Sequence, residues 1–288
     1  MKLGISSYSL FGALKTGEMD ILDVIEWVAK QGGEHVEIVP LGYSLDDNPE
    51  LIQAIVNKAK EVEIDLSNYA IGANFICSND EEYELEIERV KKQVDIANQL
   101  GVKLMRHDVA WRPPSEGTIS QFEEDLPKLV KACQVVADYA NNYGITTSVE
   151  NHGYYVQASD RVQTLINHVN KENFKTTLDS GNFLCVDESP IVAVKKNLSL
   201  ASMVHFKDFY IRPSYRDPGH GWFKSSSGNH LRGAIFGHGD IDVYEIVKIV
   251  KSSGYNGYIS IEFEGLEENK LGTKTSFDNV RRIWNTIE

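Results

Sequence analysis

Short apolar runs of strand composition recur along this chain, separated by stretches with helical periodicity. The runs begin near Lys2, His35, Ile64, Val102, Ile145, Phe174, Ala201 and Tyr258. Most intervals are close to the ~30 residues that a parallel βαβ unit needs. Residues 81–100 place Ile87, Val90, Val94 and Ala97 on one helical face, with charges opposite. Residues 120–143 repeat the pattern with Leu126, Leu129, Cys133, Val136 and Ala140. Ser78 with Glu81, Ser120 with Glu123 and Asp242 with Glu245 have capping-box spacing. Asn48-Pro49 and Ser189-Pro190 read as an N-cap followed by Pro at the first helical position. Gly32, Gly101, Gly144 and Gly254 stand where left-handed helix stops are expected.

Eight strands alternating with about eight helices predict an α/β fold: a closed (β/α)₈ TIM barrel, one domain over residues 1–288. No GxGxxG follows the first strand and no GxxxxGK[ST] occurs, so neither nucleotide-binding fold is supported. The segment at about 209–239, after strand seven, is the one irregular stretch. It is rich in Gly, Ser, Pro, Arg and aromatics, among them Tyr210, Tyr215, Trp222 and Phe223. A loop of that length in a compact domain is usually functional or disordered; its aromatics argue against pure disorder, and its position predicts a lid or specificity element over the active face.

The chemistry sits at the strand ends. TTSVEN carries Glu150 at or near its end, KTTLDS Asp179, ASMVHF His205 and ISIEFE Glu262. A parallel barrel gathers the C-terminal ends of its strands on one face, so two glutamates, an aspartate and a histidine converge there. Alternation points Ser148, Thr177, Met203 and Ser260 the same way. Carboxylates with an imidazole and no thiolate suit one divalent ion, Mn²⁺, Mg²⁺, Co²⁺ or Zn²⁺. Without a cation such a cluster is costly, because close like charges cannot all ionise.

Composition narrows the partners. The formal net charge is −13, which opposes nucleic acid and anionic membrane. Cys77, Cys133 and Cys185 form no CxxC pair, which fits a reducing cytoplasm. MKLGISSYSL reads as a first strand rather than a signal peptide, and no apolar stretch is long enough to span a bilayer.

With these motifs in view, the chain resembles the xylose-isomerase-like superfamily of TIM barrels, which includes sugar isomerases and epimerases, inosose dehydratases and AP endonucleases. The resemblance covers nearly the whole chain. It rests on ENHG (150–153), LDSGN (178–182), HFKD (205–208), IEFEG (261–265) and GHGDID (237–242). It implies that Glu150, Asp179, His205 and Glu262 hold one metal ion, and that Glu150 and Glu262 are also the catalytic pair, moving a proton on opposite faces of the reacting carbon. Removing a proton next to a carbonyl builds enediolate charge, which a divalent cation stabilises, and a carboxylate on each face can take the proton and return it.

The chain departs from the superfamily in three places. Asn182 stands where several epimerases and the endonucleases have His, no D-x-H pair precedes GHGDID, and the loop after strand seven is long.

Other candidates each carry a bland alternative. Arg106 binds a substrate oxygen or pairs with Asp108, and His107 faces the helical layer. Glu37 binds a sugar hydroxyl or anchors a loop. His152 lines the pocket or is solvated. Asn182 hydrogen-bonds a hydroxyl. Lys207 works in the pocket or bridges to Glu262 or Asp179. Trp111 stacks on a sugar or is packed. His220, His230 and His238 fit no ligand motif. Arg212, Arg216, Lys224 and Arg232 hold an anionic substrate group or offset the acidic surface.

The expectation is a cytoplasmic metal-dependent isomerase or epimerase of a sugar or sugar derivative. An inosose-type dehydratase is the alternative; an AP-endonuclease-type hydrolase and a non-enzymatic sugar-binding protein stand further back. The partner is a small-molecule sugar, with no nucleic acid and no membrane; a homo-oligomer is compatible with the fold.

Overall fold

The computed structural model describes residues 1–287. Eight parallel strands close into a barrel: β1 (Lys2–Ser6), β2 (His35–Ile38), β3 (Asp65–Ile71), β4 (Leu104–His107), β5 (Thr146–Glu150), β6 (Phe174–Asp179), β7 (Ala201–Phe206) and, past three further strands, β11 (Tyr258–Ile261). β11 pairs with both β1 and β7, which closes the ring. The strands are buried on both faces, so they read as apolar runs with small polar residues toward the barrel axis. Ser148 and Thr177 meet inside the barrel, with their hydroxyls 2.8 Å apart. The chain is therefore a single-domain (β/α)₈ TIM barrel, as its periodicity predicts.

Around the barrel run α1 (Phe11–Thr16), α2 (Ile21–Lys30), α3 (Pro49–Glu61), α4 (Asp80–Leu100), α5 (Ile119–Asn141), α6 (Ser159–Val169), α7 (Pro190–Asn197), α8 (Val243–Ser252) and α9 (Asn269–Thr286). α4 and α5 bury the faces read from the sequence, apart from Leu126, which is half-buried. Two caps shift. Asn79, not Ser78, caps α4 by accepting from the Glu82 N–H, and Thr118, not Ser120, caps α5 by accepting from the Gln121 N–H. Several polar residues compete at each site, and the one with extended backbone wins. Asp242 and Asn48 cap as expected; Ser189 precedes Pro190 without a side-chain cap.

The segment after β7 is more ordered than its composition implies. It folds into a three-stranded antiparallel sheet of β8 (Asp208–Arg212), β9 (Phe223–Lys224) and β10 (His230–Ala234), with β10 in the centre. Phe209, Leu231 and Cys185 form a small second core beneath it. The signal was masked because glycines and serines of the turns outnumber the short apolar runs.

Candidate metal centre

β5, β6 and β7 each deliver one donor at or near the strand end, and the fourth follows β11 directly. Parallel register keeps them level: Asp179 lies beside His205, and Ser260, two residues before Glu262, lies beside His205 on the other flank. One ligand atom from each of Glu150, Asp179, His205 and Glu262 falls within 4.8 Å of the others, and all four side chains are buried. His205 Nδ1 is 3.8 Å from Glu262 Oε1 and 3.9 Å from both Glu150 Oε1 and Asp179 Oδ2.

Two atoms in this cluster have no hydrogen-bond partner: His205 Nδ1 and Asp179 Oδ2. Buried polar atoms are almost always paired, so a vacant donor set aimed at a common point fits a divalent cation. The remaining atoms are fixed. His205 Nε2 hydrogen-bonds Glu37 Oε2 at 2.7 Å, and Asn68 Nδ2 donates to Glu37 Oε1 at 3.0 Å. A carboxylate behind a ligating histidine sets its tautomer and orientation. Asp179 Oδ1 accepts from the N–H groups of Gly181 and Asn182, both at 2.7 Å. Asn151, the second residue of ENHG, locks the end of β6 by bonding both the N–H and the carbonyl of Asp179.

The two glutamates sit in different settings. Arg106 donates from Nε to Glu150 Oε2 at 2.6 Å, and Asn182 Nδ2 donates to Glu150 Oε1 at 3.0 Å. Lys207 Nζ lies 2.6 Å from Glu262 Oε2, 2.9 Å from Glu264 Oε2 and 3.5 Å from Asp179 Oδ2, and donates to Asn182 Oδ1 at 3.1 Å. Burial pushes the Glu262 carboxyl up, but Lys207 and His205 outweigh it and hold the group well below the usual range. Burial pushes the Asp179 carboxyl up to about 7; Lys207 opposes this, while Glu262 and Glu150 add to it. Burial disfavours charge on His205, yet Glu37 and Glu262 raise its affinity for a proton well above normal. Together these shifts describe a site rich in negative charge, which protons or a cation must offset.

Above the donors opens a cavity of about 530 Å³. Glu37, Arg106, His152, Asn182 and Lys207 line it, as do Glu150 and Glu262. Arg106 faces inward and lies 3.5 Å from Asp108 as well as against Glu150, so it pairs with acids on both sides. His152, half-exposed, lies 3.3 Å from Asp108. His107 points away, between Phe75 and Phe174, with Nδ1 2.9 Å from the Asp108 carbonyl oxygen.

Trp111 is not at the cavity wall. It is 61% exposed, and its backbone N–H donates to Asn74 Oδ1 at 3.1 Å. The loop cations are also elsewhere. Arg212 pairs with Asp240, and Arg232 lies against Tyr210 and Trp222. His220, His230 and His238 join no second cluster of metal-binding residues among the described residues.

Sequence reasoning missed Tyr8, Glu264, Asn68 and Asn151. Glu264 follows Glu262 by two residues just past β11, and Asn151 stands inside ENHG, so both left a signal; Tyr8, in a turn after β1, left none. The HFKD and GHGDID motifs meet physically. Asp208 accepts from the N–H groups of Gly237 and Gly239, both at 2.9 Å. A Cβ on Gly239 would lie 2.2 Å from Asp208 Oδ1, so only glycine fits.

Comparison with known proteins agrees with this architecture. The family model for xylose isomerase-like TIM barrels matches residues 25–283. The chain belongs to that family. Among curated proteins it is similar to the inosose dehydratase of Clostridium perfringens, 24% identical over 185 residues; the match spans 59% of this chain and 60% of that protein's length. The inosose dehydratase of Clostridium beijerinckii is 24% identical over 269 residues, covering 79% of this chain and 88% of the relative. Among solved structures, a probable 3-DHS dehydratase involved in petrobactin synthesis from Bacillus anthracis superposes with a TM-score of 0.75 at 14% identity, covering 98% of this chain and 99% of that one. A D-psicose 3-epimerase from Clostridium cellulolyticum superposes at 0.74 with 19% identity, covering 99% of both chains. These relatives and neighbours are enzymes that modify sugars and related ring compounds.

Proposed function

We propose that this protein is a divalent-metal-dependent enzyme that moves a proton on the carbon next to a carbonyl of a small-molecule sugar or sugar derivative, as an isomerase or epimerase does. The observation that carries this reading is the set of four converging buried donors, two of them glutamates that line the cavity. Glu150, Asp179, His205 and Glu262 would hold the ion. When bound, it would polarise the substrate carbonyl and offset the negative charge that grows as the proton leaves.

The rest falls to the chain's own groups. Arg106 and Asn182 orient Glu150; Lys207 keeps Glu262 ionised and therefore able to accept a proton. One glutamate takes the proton from the carbon and the other returns one to the opposite face. Lys207 Nζ also ties Glu264 and Asn182 to the same corner of the cavity. Glu37 fixes the His205 ring so that Nδ1 faces the centre. Three free cysteines support a cytoplasmic location.

Elimination of a hydroxyl from the same intermediate is the second reading. It is favoured by the inosose dehydratase relatives and by His152, which Asp108 steadies at the cavity wall as a candidate acid for a departing hydroxyl. Incubating Mn²⁺-loaded protein with ketopentoses, ketohexoses and a keto-inositol in D₂O tests both. Deuterium at the carbon next to the carbonyl, with a new epimer or aldose, supports the first reading. An unsaturated ketone absorbing in the ultraviolet supports the second. If no member of the panel exchanges or eliminates, the proposed reaction is wrong.

A further inference from the structure

The charge inventory of the cavity narrows the substrate class. Resting on the reaction just proposed, we infer that this site takes an uncharged polyhydroxy ketone and rejects the same ketone carrying a phosphate or carboxylate. Three obligate cations line the cavity, and each is already engaged. Arg106 gives Nε and Nη2 to Glu150 and Nη1 to the Ile71 carbonyl at 3.1 Å. The three protons of Lys207 face Glu262, Glu264 and Asn182. Arg89 is bound through two nitrogens to Glu86, at 2.7 and 2.8 Å, and to the Gly72 carbonyl at 2.7 Å.

Against them stand the carboxylates of Glu37, Asp46, Asp108, Glu150, Glu262 and Glu264, with Asp179 in the cluster beneath. Counting His152 and His205 as charged still leaves the acids in excess. A divalent ion in place of the His205 proton does not reverse the balance.

The basic residues of the β8–β10 sheet do not help, because none lines the cavity. Arg212 is neutralised by Asp240 and Arg232 is covered by Tyr210 and Trp222. An anionic substituent thus finds like charge and no unpaired cation, which disfavours its entry into a partly desolvated site. Hydroxyls meet the opposite situation: carboxylates accept from them, and Tyr8 lines the cavity as a further polar group.

Matched pairs test the inference on the full-length Mn²⁺-loaded protein. D-fructose is compared with D-fructose 6-phosphate, and D-ribulose with D-ribulose 5-phosphate, for deuterium exchange. Xylitol and xylitol 5-phosphate are compared for binding by calorimetry, which reads charge preference even where no substrate turns over. The neutral member should exchange faster, or bind tighter, by at least about tenfold. Glu264→Gln, which removes one partner of Lys207, should narrow that ratio several-fold. Loss of exchange in every pair, with the neutral polyol still preferred, would sink the proposed reaction and leave the charge selection standing. Equal or tighter binding of the phosphate, binding of neither polyol, or an unchanged ratio in Glu264→Gln overturns the inference.

Discussion

Glu150 and Glu262 are the same residue type under different restraint. Arg106 and Asn182 occupy both carboxylate oxygens of Glu150, whereas the cationic partner of Glu262 is Lys207, which Glu264 shares. Glu→Gln keeps the size and one oxygen but removes the base. Each substitution should lower kcat by the ~10²–10⁴-fold typical of a lost acid or base, with metal content falling less than activity; near-wild-type turnover in either metal-loaded variant would contradict the two-base assignment. Glu37 acts one step removed, through His205. Glu37→Ala should weaken Mn²⁺ binding by the ~10–100-fold usual for a second ligand shell, read by calorimetry on protein whose circular dichroism is unchanged. Wild-type affinity in that variant would show that the pair is only structural.

Among the elements, the loops after β4 and β5 are both tied to Asp125 of α5. Arg112 donates to Asp125 from Nε at 2.6 Å and Nη2 at 2.8 Å, and Tyr155 Oη donates to the same carboxylate at 2.5 Å. Burial raises the Asp125 carboxyl, but Arg112 and Tyr155 more than reverse this and hold it below the usual range. Its stabilisation is therefore complete above the unfolded value of ~3.9 and is lost as pH falls through the lower folded value. Asp125→Asn should lower Tm at pH 7 by several degrees, and the gap should shrink below about pH 4. A gap independent of pH would rule out the ionic contribution.

The barrel itself was legible because parallel strands buried on both faces leave continuous apolar runs, and because β5, β6, β7 and β11 each lead directly into one donor. The β8–β10 sheet was not, since antiparallel strands of two to five residues between Gly-rich turns carry almost no periodicity. The role of Asn68 was hidden for another reason: contacts across neighbouring strands depend on register, and a shift between Val36 and Glu37 sets Asn68 beside Glu37.

At the scale of the whole molecule, a net charge of −13 is distributed so that the barrel mouth is itself acidic. No helix among the described residues is long and apolar enough to cross a membrane. An acidic mouth over buried acidic donors attracts divalent cations. If the proposed reaction holds, proton exchange depends on one such ion at Glu150, Asp179, His205 and Glu262. The direct measurement is the deuterium-exchange rate of a responsive keto sugar as Mn²⁺ is titrated into chelator-stripped protein. The rate should be negligible at the start, rise in proportion to added metal, and level off at one equivalent per chain. Full exchange activity in stripped protein containing no stoichiometric divalent metal would show that the reaction needs no ion at these four residues.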